Sequence, residues 1–168
     1  MFLPTVINII LNNFDCIFDG LSSYTTGESL LEVKWRILIA NSTMDTHQEA
    51  PSSYGNMYMV WRERMKGQFM IMDNSDMNAV VPQEYFEAPC FVSNYKFCRT
   101  RGGYVGLIPT SAEIGDHVCI IAGCIVPFVL RDSCQGMFRM VGGCYIHGIM
   151  KGEALKFPRW QQKDLKLH

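Results

Sequence analysis

The sequence lacks the features that mark several common functional classes. Its seven cysteines are an odd number without a C-x-x-C pair, which fits neither a disulfide framework nor a thiolate zinc site. The net charge is -1 and only 18% of the residues are charged, so no broad cationic field attracts nucleic acid or anionic lipid. We therefore expect reduced thiols, a cytoplasmic protein, no metal or other cofactor, and no nucleic-acid or membrane partner.

The chain also lacks a hydrophobic run of membrane-spanning length. The start, MFLPTVINIILNNFDCIF, is apolar, but Asn8, Asn12, Asn13 and Asp15 interrupt it well short of the ~20 residues that a span requires. It has neither the positive n-region nor the small-residue cleavage site of a signal peptide. We interpret residues 1–32 as a buried arm or as sequence outside the folded unit.

Residues 33–98 are predicted to be mainly helical. Thr25 and Glu28 fit a capping box for a helix that ends near Ala40, and a third helix is expected to begin around Pro82. Apolar side chains at helical spacing predict two buried faces. These faces comprise Leu31, Trp35, Leu38 and Ile39, and then Tyr54, Met57, Tyr58, Trp61 and Met65.

Residues 99–156 have the pattern of a small β domain. The segments KFCRT and YVGLIP flank Arg101-Gly102-Gly103, where glycine supplies the positive φ of a hairpin turn. Turns at near-regular intervals then separate HVCIIAG, FVLR and MFRMVGGCYIHG. We predict an α+β fold in which amino-terminal helices pack on a small antiparallel β-barrel or rolled sheet. Residues 33–156 form one folded unit in this interpretation, and residues 157–168 form a basic tail.

Three segments carry an ordered set of motifs. They are KWRILIANSTMDTHQEAPSSYGNMYMVW, RTRGGYVGLIPTSAEIGDHVCIIAGCIVPFVLR and FRMVGGCYIHGIMKGEAL. The motifs are a tryptophan helix, an Asn-x-Thr connector, a G-Y-x-G-L-x-P hairpin, a G-D strand start, a P-x-V-L-R strand and a closing Y-x-H-G-x-M-x-G-E-A. The motif residues are Trp35, Asn41, Thr43, Gly103, Tyr104, Gly106, Leu107, Pro109, Gly115, Asp116, Pro127, Leu130, Arg131, Tyr145, His147, Gly148, Met150, Gly152 and Glu153. In this order they resemble the carboxy-terminal region of fungal heterokaryon-incompatibility (HET) domain proteins, over about residues 33–156.

The resemblance implies a link to non-self recognition and to cell-death signalling by association. It ascribes the effector function to the HET domain itself, which lies toward the amino terminus of such proteins and is likened to nucleotide-cleaving TIR domains. We expect that domain to be absent from these residues, so no effector residue is carried over. Relatives tend to read V-G-E-x-Y-V-H-G-I-M-D-G-E, whereas this chain has Gly143 and Lys151 at the first two acidic positions.

Three functional hypotheses follow. The first is a non-enzymatic interaction or regulatory module whose partner is a protein, such as a HET domain or a related effector supplied in trans. The second is a truncated or decayed gene product without an independent function, which the unmatched residues 1–32 and the altered acidic positions favour. The third is a small hydrolase that uses His147 with Glu153 or Cys144.

The closing motif contains few side chains that could act in catalysis or bind a metal ion. His147 and Glu153 supply two ligands where zinc needs three or four. Cys144 and His147 are three positions apart and face opposite sides of a strand, and cysteines in apolar runs behave as small core residues. Gly148 and Gly152 permit tight chain reversal. We therefore predict that this motif closes a packed sheet, with His147 satisfying buried backbone groups.

Overall fold

The computed structural model describes residues 2–11, 14–43, 48–65, 94–156, 161–162 and 164–168. Within these ranges the chain forms two α-helices, α1 (Leu30–Leu38) and α2 (Tyr54–Met65), and short 3-10 helices at Asp15–Phe18, Cys134–Gly136 and Glu153–Lys156. The strands are β1 (Phe2–Leu11), β2 (Tyr95–Thr100), β3 (Val105–Pro109), β4 (His117–Ile120), β5 (Phe128–Asp132), β6 (Met137–Gly143), β7 (Tyr145–Ile146), β8 (Gln161–Gln162) and β9 (Lys166–Leu167).

The strands form one sheet in the order β7-β3-β2-β1-β4-β5-β6-β9, and β8 also pairs with β1. All pairs are antiparallel except β6 with β9. The α+β class and the predominantly antiparallel sheet confirm the prediction. The path of paired strands ends at β7 and β9, so the described strands do not close into a barrel.

Strand β1 links the two halves of the sheet. The part of β1 that begins at Ile7 pairs with β2, whereas Phe2, Thr5 and Val6 pair with β4. The prediction placed the β domain at residues 99–156 and described residues 1–32 as an arm, so it missed that this arm supplies the strand β1. Ladder hydrogen bonds to strands about 100 residues away hold β1 in place, and no local sequence window contains those partners.

Helix α1 begins later than predicted. Its N-cap is Ser29, whose hydroxyl accepts a hydrogen bond from the backbone N–H of Glu32 at 3.1 Å. Thr25 and Glu28 therefore do not cap the helix, and Glu28 serves another role, described below. The buried residues of α1 are Val33, Trp35, Ile37 and Leu38. Of the predicted stripe, Trp35, Leu38 and Ile39 are buried, whereas Leu31 is 43% exposed.

The predicted face of α2 is confirmed where its side chains are described. Tyr58 is buried, and Tyr54, Met57 and Trp61 pack against the same cluster. Helix α2 approaches α1 closely at Gly55, where an added Cβ would lie 3.0 Å from Trp35 Nε1. The side chain of Met65 and the helix expected near Pro82 lie outside the described residues.

The β2–β3 hairpin is confirmed, with Arg99 paired to Val105 and Gly103 at a φ of +85°. This hairpin separates two clusters of buried side chains. One cluster lies against the helices and includes Trp35 and Tyr145. The other lies within the sheet and includes Ile146. Successive side chains of a strand face opposite sides. In β7, Tyr145 therefore packs in the cluster against the helices, and Ile146 packs in the second cluster.

None of the helices described is both long enough and apolar enough to cross a membrane.

Candidate functional site

A polar cleft of about 460 Å³ lies where three parts of the chain meet. These parts are the segment that leads into α1, the connector after α1, and the closing loop, which we define as residues 147–153. The cleft is lined by Thr25, Thr26, Glu28, Arg36, Asn41, Glu49, Tyr145, His147, Gly148, Met150, Lys151 and Glu153. The fold thus brings the Asn-x-Thr connector and the closing motif together at one surface.

His147 is the most deeply buried ionisable group of the cleft, at 5% exposure. Its Nε2 lies 2.9 Å from Glu28 Oε2, and its Nδ1 lies 2.8 Å from the Tyr145 hydroxyl. A carboxylate only accepts hydrogen bonds, so Nε2 carries the proton and donates to Glu28. In the neutral ring Nδ1 is then an acceptor, and the Tyr145 hydroxyl donates to it. Both ring nitrogens are therefore satisfied.

The charges of this pair follow from its surroundings. Burial lowers the pKa of His147, and this effect outweighs the opposing attraction of the Glu28 carboxylate. Burial raises the pKa of Glu28, but hydrogen bonds from Thr26 and His147 outweigh it, and the net pKa of Glu28 is lowered. At neutral pH the cleft therefore holds a neutral imidazole beside a charged carboxylate.

The backbone of His147 is held as firmly as its ring. Its carbonyl accepts a hydrogen bond from the Tyr24 hydroxyl at 2.8 Å, and its N–H donates to the Val105 carbonyl at 3.0 Å. The Tyr24 hydroxyl also accepts from the Val105 N–H at 3.1 Å. The backbone groups of this turn are therefore satisfied by Tyr24 and β3, not by the His147 ring as predicted.

Gly148 allows the segment before α1 to approach the closing loop. Its φ is +87°, a conformation that L side chains rarely adopt. An added Cβ would lie 2.5 Å from Thr26 Cγ2. Any side chain at this position would push the segment that carries Glu28 away from His147.

The cations of the cleft are engaged by internal acceptors. Arg36 donates from Nε to Glu32 Oε1 at 2.8 Å, and from Nη1 to Asn41 Oδ1 and to the Ala50 carbonyl. Lys151 Nζ pairs with Glu49. Asn41 adopts a positive φ of 53°, which asparagine tolerates better than most residues.

The predicted catalytic candidates are only partly brought together. His147 and Glu153 line the same cleft, but the carboxylate that bonds the His147 ring belongs to Glu28. Glu153 instead accepts from the backbone N–H of Lys151 at 2.6 Å. Glu28 was missed because it lies 119 positions from His147, in the segment that was predicted to be unmatched.

Cys144 is separated from the polar cleft. Its thiol donates to the Pro127 carbonyl at 3.4 Å, and burial raises its pKa well above the ordinary value. It lines a neighbouring, apolar cleft of about 250 Å³ with Leu107 and Val126. The described cysteines form no disulfides, and the described part of the chain contains no group of three or more histidine, cysteine, aspartate or glutamate residues that could hold a metal ion.

The G-D and V-L-R motifs form a second polar cluster. Arg131 donates from Nε and Nη2 to the two oxygens of Asp116, at 2.7 and 2.8 Å. It also donates from Nη1 to Glu113 at 2.7 Å. Asp116 is 3% exposed and accepts from the Glu113 N–H at 2.8 Å. These contacts fasten the start of β4 to β5.

The remaining hairpin motif residues serve close packing. Tyr104, Leu107 and Leu130 are buried. At Gly106 an added Cβ would lie 2.1 Å from the Tyr145 carbonyl oxygen. Only glycine at this position lets β7 pair with β3, and this pairing delivers Tyr145 and His147 to the cleft.

The family model of the Het-6 beta-barrel domain matches residues 12–165. This range begins inside the segment that sequence analysis left unmatched, and it includes Glu28. No curated protein matches the chain, and no solved structure does. The chain therefore belongs to the Het-6 beta-barrel domain family, a domain associated with fungal heterokaryon incompatibility.

Proposed function

We propose that this chain is a non-enzymatic interaction or regulatory module that acts in fungal non-self recognition and cell-death signalling. In this proposal it works in the cytoplasm by binding a protein partner, which is a HET domain or a related effector supplied in trans. One observation carries the proposal: the side chains of the closing motif that suit catalysis are held by internal partners.

The state of these groups argues against acid–base or nucleophilic catalysis. A general base needs a nitrogen that can reach a substrate proton, and the His147 ring is 5% exposed and lies between Glu28 and the buried Tyr145 hydroxyl. Burial raises the pKa of Tyr145 well above its ordinary value, which disfavours a reactive phenolate. Burial acts in the same direction on Cys144, and a nucleophilic cysteine needs the opposite shift.

An exposed ion pair at the polar cleft lies close in sequence to an exposed apolar side chain. Lys151 is exposed and pairs with Glu49 across the cleft. Leu155 is 57% exposed and packs beside Gly152 at the end of the closing loop. Protein interfaces combine an apolar centre with a polar, solvent-accessible rim, and these three residues supply both kinds of side chain. We therefore assign partner binding to the surface formed by Lys151, Leu155 and Glu49.

A binding experiment tests this assignment. The purified chain would be titrated with purified fungal HET domains in a calorimeter. We expect the double variant Lys151→Glu, Leu155→Ala to bind at least about tenfold more weakly, because it removes a charge and an apolar contact from one surface. The matched control is Arg139→Glu, Ile114→Ala, which changes an exposed basic residue of β6 and an exposed apolar residue of the β3–β4 loop. Absence of binding heat with every HET domain, or equal losses in both double variants, would overturn the proposal.

An unfolding experiment separates this proposal from a decayed gene product. Trp35 lies in α1 and Trp61 in α2, and both belong to the cluster that packs on the sheet. An independent module is expected to show steep, coincident urea transitions by tryptophan fluorescence and far-ultraviolet circular dichroism. A broad or missing transition would favour the decayed product.

A further inference from the structure

His147 lies at the point where the closing loop is tied to the segment before α1. Its ring bonds Glu28 Oε2 at 2.9 Å, and its carbonyl bonds the Tyr24 hydroxyl at 2.8 Å. These two contacts join residues that are 119 and 123 positions apart. Of these two contacts, only the one with Glu28 joins two groups that titrate in the acid range, an imidazole and a carboxylate.

The hydrogen-bond pattern around His147 suits the neutral ring. A proton added to Nδ1 turns that nitrogen into a donor, so it faces the hydrogen of the Tyr145 hydroxyl. That hydroxyl must then rotate and find another acceptor in a buried site, where an unmade hydrogen bond is costly. The ring must also carry a charge at 5% exposure, where solvation is poor.

Charged groups on neighbouring elements act on the ring in both directions. Glu28, before α1, and Glu153, in the closing loop, favour the protonated form, whereas Arg36 of α1 disfavours it. Tyr24 and Tyr145 contact the residue as neutral hydroxyl groups. On the β3 side, Val105 contributes backbone groups, and Tyr104 packs against Gly148. Burial outweighs the two carboxylates, so the net effect opposes protonation.

We propose that the Glu28–His147 contact is an acid-sensitive tie, and that protonation of His147 releases the segment 24–28 from the closing loop and opens the polar cleft. This proposal does not depend on the identity of the protein partner.

The direction of the pH effect follows from linkage. The pKa of His147 is lowered in the closed form, so the released form binds the proton more tightly. The closed form therefore loses stability as the pH falls below the ordinary histidine pKa of about 6.5, by up to about tenfold in the opening equilibrium per pH unit. The lowered pKa of Glu28 acts in the same direction, but mainly near and below about pH 4.5.

Hydrogen exchange of the whole chain tests the tie. Protection of the amides of residues 24–29 and 148–152 would be measured from about pH 7.5 to about pH 5.5, with correction for intrinsic exchange rates. We expect protection to fall by up to about tenfold per pH unit below about pH 6.5. In His147→Gln the side-chain amide still reaches Glu28 but does not titrate, so this added pH dependence should disappear.

The matched control is His117→Gln. His117 also pairs with a carboxylate, Asp132, at 3.1 Å, but it lies in β4. This variant should keep the pH dependence of the wild-type chain in both segments. Unchanged protection in the wild type, or the same dependence in His147→Gln, would overturn the proposal.

A second measurement serves if His147→Gln does not fold. The His147 ring would be titrated by NMR in the wild-type chain. A pKa below about 6.5 supports the tie, and a pKa at or above that value refutes it.

Discussion

The two polar clusters of this protein differ in how far they reach along the chain. Arg131 and Asp116 are 15 positions apart and join neighbouring strands, whereas His147 and Glu28 are 119 positions apart and join segments that the sheet must first assemble. The first cluster stabilises a local strand pair. The second depends on the docking of β7 and of the segment before α1. One cluster therefore supports the fold locally, and the other depends on the whole fold being formed.

The clusters also differ in how they respond to protons. Arginine stays charged at all ordinary pH values, so the charge of Arg131 does not change near neutrality. Burial holds the pKa of His147 below its ordinary value, so its contact with Glu28 changes between neutral and mildly acidic conditions. A response to mild acid is thus expected at the polar cleft.

The largest effect is expected from Gly106→Ala, which disrupts the strand pairing on which the His147–Glu28 cluster depends. The added Cβ would lie 2.1 Å from the Tyr145 carbonyl, so β7 cannot pair with β3 without a backbone shift. We expect a loss of about 3 kcal/mol or more in the free energy of unfolding by urea. The control is Gly143→Ala, whose Cβ would make an ordinary contact of 3.5 Å with Val126. Equal losses in both variants would contradict the steric explanation.

The next effect is expected from Asp116→Asn, which breaks the local cluster. Arg131 would keep its charge but lose the carboxylate that receives two of its hydrogen bonds. We expect a loss of about 2–3 kcal/mol, because Asp116 is buried and its carboxylate accepts three hydrogen bonds that an amide cannot all accept. Asp132→Asn is the matched control, since Asp132 is 71% exposed, and surface ion pairs contribute about 0–1 kcal/mol. A similar shift of the urea midpoint in both variants would argue against the structural role of Asp116.

A smaller effect is expected from Tyr24→Phe, which removes hydrogen bonds between remote segments without a change of charge. The variant loses the hydroxyl that bonds the His147 carbonyl and the Val105 N–H. We expect a loss of about 1–3 kcal/mol, because two buried backbone groups are left unsatisfied. Tyr95→Phe is the control, since the Tyr95 hydroxyl makes no hydrogen bond within the described residues. Unfolding free energies that decrease equally in both variants would contradict this assignment.

The smallest effect is expected from Lys151→Ala. Lys151 and Glu49 form an ion pair in which both side chains are at least half exposed, and such pairs contribute about 0–1 kcal/mol. A double-mutant cycle with Glu49→Gln would measure the coupling. A coupling above about 1 kcal/mol would show that this pair stabilises the fold. The Lys151–Glu49 pair would then be a third stabilising polar cluster beside those of Arg131 and His147.

Local signals predicted the elements whose partners are close in sequence. The hairpin across Gly103 and the buried face of α2 depend on turn chemistry and helical spacing, which a short window contains. The N-cap was misplaced because Thr25 and Glu28 match a capping box as well as Ser29 and Glu32 do. Only the packing of Thr26 on Gly148 and the hydrogen bond that His147 donates to Glu28 separate the two possibilities.

The sequence by itself determined the antiparallel character of the sheet, the burial of Cys144, and the ordered motifs that identify the family. These properties depend on side-chain type and local spacing. The tertiary structure decided that β1 joins the two halves of the sheet and that Glu28, rather than Glu153, bonds the His147 ring. Both contacts join residues about 100 positions apart, and such contacts form only after the intervening chain has folded and offset the entropy of closing that loop.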